Sequence, residues 1–190
     1  MKYSFYLFLL MCHTQYVTTW RSFAFRFSTI QCTKRSQLIS FVNCSVAEQN
    51  GVKYGVSFSL KFSTAIVNPY LDVIVTAIRN SQPEFVIINI THFDGCKFLQ
   101  NTNPFNLLQI LRNEFEKFSK IPNKCPVAKD TEIHVKNMSL DPEKFPPYVP
   151  QTGFRTEVRL WEKDTVILNL MVNGSVDTKK RINRQKTKNN

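Results

Sequence analysis

The sequence predicts a mainly β fold: an immunoglobulin-like two-sheet antiparallel β-sandwich with one amphipathic helix. Three observations point there. Apolar and polar residues alternate with period two through most of the middle of the chain. Pro- and Asn-containing turn signals separate those runs. One segment alone changes to a period of three and four. A length of 190 residues suits one domain with tails, and 43% apolar composition is enough to fill its core.

The elements follow in order. Phe23, Phe25 and Phe27 alternate with Ala24 and Arg26 in a first strand, and residues 38–46 form a second. In the third, Val52, Tyr54, Val56, Phe58 and Leu60 fall on one face and Lys53, Gly55, Ser57, Ser59 and Lys61 on the other. That is a strand with one buried and one wet face. Residues 71–78 follow the turn pair Asn68-Pro69, and residues 85–90 follow Gln82-Pro83. Residues 132–135 make a short strand. Residues 154–161 and 166–172 flank a turn at 162–165 and read as a hairpin. Eight strands with this alternation favour a sandwich.

Phe105, Leu108, Leu111, Phe115 and Phe118 recur at helical spacing. Pro104 suits the first turn of this helix, Asn103 its N-cap, and Pro122 lies beyond its end. The helix is expected to cover one edge or end of the sandwich. Pro142, Pro146, Pro147 and Pro150 make residues 141–153 an extended stretch that crosses between sheets.

The ends differ from the middle. Lys2 followed by the apolar run 3–12 is too short for a membrane span and fits a signal peptide, placed at residues 1–20. Residues 21–177 form the domain. Residues 178–190 carry six basic and no acidic side chains and read as a disordered basic tail. Removing those six charges and Lys2 from the net +11 leaves +4 on the remainder. The basic character therefore lies mostly in the tail, and the aromatics lie on apolar strand faces. Nucleic acid is not the expected partner.

No G-x-S-x-G, P-loop, G-x-G-x-x-G or H-E-x-x-H pattern occurs. No catalytic residue, cofactor or metal site is expected, and the chain reads as a non-enzyme. His92, two residues before Asp94, suggests a structural pair on one strand face.

Of five cysteines, Cys12 falls in the signal peptide, leaving Cys32, Cys44, Cys96 and Cys125 for two disulfides in an oxidising compartment. Cys32 and Cys44 fall in successive strands, and Cys96 and Cys125 bracket the helix. The pairing Cys32–Cys44 with Cys96–Cys125 is expected, with Cys32–Cys125 and Cys44–Cys96 as the rival. Sequons at Asn43, Asn89, Asn137 and Asn173 are candidate glycosylation sites in a secreted chain.

Phe27-Ser-Thr-Ile-Gln-Cys32, Phe41-Val-Asn-Cys44 and Cys96-Lys-Phe-Leu99 precede the helix, and Asn123-Lys-Cys-Pro126 and Phe145-Pro-Pro-Tyr148 follow it. Together these blocks resemble a large insect family of secreted proteins of unknown function. That family is similar to the ML (lipid-recognition, ganglioside-activator type) superfamily. The resemblance implies a secreted, extracellular, monomeric β-sandwich that binds a hydrophobic small molecule or lipid, in a chemosensory setting, without stable membrane insertion. With the excess of 16 Phe, it directs attention to Tyr54, Val56, Phe58, Leu60, Ile88, Phe115 and Val158 as cavity-lining residues. The alternative is an extracellular interaction module with a filled core, acting on a receptor or anionic matrix through its surface and basic tail.

Overall fold

The computed structural model describes residues 23–49, 52–79, 83–102, 106–119, 121–146 and 149–178. The expected signal peptide, the tail beyond Thr178 and the N-cap at Asn103 lie outside these residues.

The described strands are β1 (Phe23–Lys34), β2 (Ile39–Gln49), β3 (Val52–Phe62), β4 (Pro69–Ile78), β5 (Phe85–Asp94), β6 (Glu132–Met138), β7 (Gly153–Glu162) and β8 (Thr165–Thr178). They form two antiparallel sheets, one of five strands in the order β1-β8-β7-β4-β5 and one of three in the order β2-β3-β6. The two sheets make the sandwich. β8 includes Thr178, so the strand continues one residue into the region read as tail.

The helices are α1 (Gly95–Leu99) and α2 (Asn106–Phe118), with a 3-10 turn at Pro142–Lys144 in the link between β6 and β7. That link runs from the small sheet to the large one, as the prolines suggested. α2 is the expected amphipathic helix, and it packs against β6.

α1 is an addition to the expected set. Asp94 builds it: Oδ1 accepts from the backbone N–H of Cys96 at 2.8 Å and of Lys97 at 3.1 Å. Those groups would otherwise lack partners at the first turn. This corrects the expected His92–Asp94 pair. His92 has a φ of 55°, and the β4–β5 register slips there between Leu71 and Val73, so strict alternation fails. The His92 ring stacks on Tyr70 with centroids 4.3 Å apart. The His92 backbone N–H donates to Asp72 Oδ1 at 2.8 Å, and Trp161 Nε1 donates to Asp72 Oδ2 at 2.8 Å. The buried Asp72 carboxylate thus serves two donors.

Two disulfides are present. Cys32 bonds Cys44 with Cα atoms 6.1 Å apart and joins the two sheets through β1 and β2. Cys96 bonds Cys125 with Cα atoms 5.6 Å apart and ties α1 to the segment after α2. These are the sequence-local pairs.

The core has two centres. Ile39, Leu60, Phe62, Ile66, Ile167 and Leu168 belong to one, and Phe27, Val56, Val135, Met138 and Val172 to the other. Phe58 packs against both. Gly174 allows the close packing beside the second centre: a Cβ there would collide with the Arg26 carbonyl and with the Phe154 ring.

Candidate functional site

Between the two core centres the sheets do not close. A cavity of about 310 Å³ remains, partly open to solvent. On β3, β4, β7 and β8 its walls follow from strand alternation, since every second residue faces inward. β3 contributes Val56, Phe58, Leu60 and Phe62, and β6 contributes Ile133 and Met138. From the large sheet come Phe154, Val158 and Leu160 of β7, with Leu168, Leu170 and Val172 of β8. Leu71 and Val73 of β4 and Phe93 of β5 extend that wall. Phe98 and Leu99 of α1 and Leu108, Leu111 and Phe115 of α2 line it from the helices.

No ionisable side chain lines this cavity, and Thr156 is the only hydroxyl on its wall among the described residues. The buried charges nearby are engaged elsewhere. Arg112, 1% exposed, donates from Nε to the Phe98 carbonyl at 3.1 Å and from Nη2 to the Leu99 carbonyl at 3.0 Å. Its Nη1 lies 2.7 Å from Glu116 Oε1. Glu114 accepts from Lys117 Nζ at 2.6 Å. The two carbonyl contacts lock α2 to α1, the ion pairs to Glu116 and Lys117 lie within α2, and none of these charged side chains lines the cavity. Among the described residues no group of three His, Cys, Asp or Glu side chains could hold a metal ion. Such a site can exclude water from an apolar molecule, and among the described residues the Thr156 hydroxyl is the one protic side-chain group on its wall.

Of the residues singled out from sequence, Val56, Phe58, Leu60, Phe115 and Val158 lie together on the cavity wall. Tyr54 and Ile88 do not. Tyr54 is the extra residue of a bulge, because Ala47 faces Gly55 while Glu48 faces Lys53. Ile88 pairs with Val75, nearer the β4–β5 turn than Val73, where the β4 wall of the cavity stops. Sequence reasoning found Val158 on β7 but missed Phe154 and Leu160 beside it and the whole β8 contribution. The inward alternation Phe154, Thr156, Val158, Leu160 was there to find them.

Among the sequons, Asn43 and Asn89 are exposed, whereas Asn137 and Asn173 are half-buried. No helix among the described residues is long and apolar enough to cross a membrane.

Comparison with known proteins gives three findings. No curated protein matches the chain. Among solved structures, it is similar to the crystal structure of a Niemann-Pick type C2 protein from Japanese carpenter ant, at 14% identity and a TM-score of 0.31, covering 79% of this chain and 90% of that one. Residues 72–156 match a family model described as a protein of unknown function (DUF1091), a span that includes the Cys96-Lys-Phe-Leu99 block, α2 and Asn123-Lys-Cys-Pro126. Over residues 72–156, less than half of its length, the chain is thus similar to this family of unknown function.

Proposed function

We propose that this chain is a secreted, non-enzymatic carrier that buries a hydrophobic small molecule or the alkyl chain of a lipid between its two sheets. One observation carries the reading: a cavity of about 310 Å³ walled by apolar side chains from both sheets and both helices. Water in a cavity with so few polar partners is poorly held, so an apolar ligand gains by displacing it. Ligand pockets run from roughly 300 to 1,000 Å³, and this one suits a single alkyl chain or one compact hydrophobe. Each buried methylene contributes about 0.8 kcal/mol before association costs. With no charged group on the wall, a polar headgroup stays at the opening or is absent. The two disulfides support an oxidising, extracellular setting. The absence of ionisable wall residues supports binding over catalysis.

Native mass spectrometry on protein from a secretory host tests this. A co-purifying small hydrophobe that leaves on delipidation, and is replaced one-to-one by a fatty acid, is expected. Protein that neither arrives loaded nor accepts any apolar probe favours the alternative of a module acting through its surface.

A further inference from the structure

We propose that, of the four sequons, Asn43 and Asn89 carry N-linked glycans and Asn137 and Asn173 stay bare, and that the glycan on Asn89 covers the free edge of β5. The proposal rests on the secreted reading above. A heterologous leader in the test separates its failure from failure of that reading.

A glycan needs an asparagine amide that projects into solvent in the finished fold. In Asn43-Cys44-Ser45, strand alternation puts Asn43 and Ser45 on the exposed face of β2, while half-buried Cys44 turns towards Cys32. In Asn89-Ile90-Thr91, Asn89 and Thr91 are exposed on β5 while Ile90 is half-buried. Both sequons lie on outermost strands, with space beyond the sheet.

The other two are committed to the fold. Asn173 sits on β8, flanked by Thr29 of β1 and Arg155 of β7. Its Nδ2, the atom a glycan would take, donates to Thr29 Oγ1 at 2.9 Å, and its Oδ1 accepts from Arg155 Nε at 3.4 Å. The Ser175 hydroxyl of the same sequon donates to Asp177. Asn137 has a φ of 54°, its N–H donates to Ser57 Oγ at 2.8 Å, and its Oδ1 accepts from that hydroxyl at 3.2 Å.

The Asn89 site has a second consequence. β5 ends the five-stranded sheet, and among the described residues it pairs only with β4. Phe85, Val86 and Ile87 on it are 41%, 55% and 50% exposed. Residues 85–91 carry no charge, and no proline interrupts them. An uncharged apolar edge of this kind recruits other strands unless something covers it. Asn89 pairs with Ile74 and Val86 with Thr76, so the two share one side of the sheet, and a glycan on Asn89 stands beside that edge.

Glycopeptide mass spectrometry on the full chain, secreted from insect cells behind a heterologous leader, reads each site separately. Glycan on Asn43 and Asn89 and plain peptide at Asn137 and Asn173 is expected. Glycan on either of the latter, or a bare Asn43 or Asn89, overturns the assignment. Asn89→Gln and Thr91→Ala both remove the β5 glycan, and light scattering coupled to size exclusion then reads assembly, with circular dichroism confirming the fold. Both variants should self-associate at concentrations where the wild type and Asn43→Gln remain monomeric. Monomeric, folded Asn89→Gln and Thr91→Ala, or equal association of Asn43→Gln, overturns the shielding.

Discussion

The ring of Phe115 on α2 lies 5.5 Å from the ring of Phe58 on β3, centroid to centroid, tilted at 54°. This contact joins the helix to the middle strand of the small sheet, and both rings line the cavity. Phe115→Ala removes the pair and enlarges the space. Stability should fall by about 2 kcal/mol, less than a fully buried aromatic deletion because Phe115 is half-buried. Urea titration measures the loss, and longer alkyl probes should gain affinity relative to short ones.

Arg112 holds α2 against α1 by binding two carbonyls at once, a geometry that a lysine ammonium cannot reproduce. Arg112→Lys should therefore destabilise the fold by about 1 to 3 kcal/mol, since a buried carbonyl loses its donor. Chemical denaturation checks the size. An Arg112→Lys chain as stable as wild type would show that the carbonyls find other partners.

Cys96 and Cys125, 29 positions apart, close a loop that holds all of α2 and α1 from Cys96 onward. In the chain-entropy model a loop of that length is worth about 3 to 4 kcal/mol. Cys125→Ser should cost that amount and leave one free thiol per chain, with Cys32–Cys44 intact. Thiol counting and thermal unfolding measure the two effects together.

Asp72 separates stability from binding. It is buried on the large sheet, accepts from Trp161 and His92, and is not on the cavity wall. Asp72→Ala strands both donors and should cost about 2 to 4 kcal/mol. Affinity for an apolar probe, measured well below the unfolding temperature, should not change.

Strand alternation made most of this architecture legible. Val56, Phe58 and Leu60 could be placed on one inward face because β3 keeps its period over that stretch. Tyr54 broke from them because a bulge inserts one residue, and a bulge has no strong sequence mark when no glycine occupies the extra position. Ile88 shares the right face but lies too far along β5, and alternation fixes the face without fixing where along the strand the cavity ends. α1 is five residues long, too short for a helical period to show; the Asp94 cap is its only local signal. The cavity itself was not legible. The same apolar residues fill a closed core or line an open one, and the difference is the spacing of two sheets.

The central claim is that the apolar space between the sheets is the binding site. Val158 projects into it from β7, and Val158→Phe adds a ring there without removing a polar contact. The direct measurement is titration of delipidated wild type and Val158→Phe with a fluorescent fatty acid, with matched circular dichroism. One-to-one binding by the wild type, weakened roughly tenfold or more in a folded Val158→Phe, or about 1.4 kcal/mol or more, is the predicted result. Equal affinity in the two folded proteins, or no binding by the wild type, would contradict it.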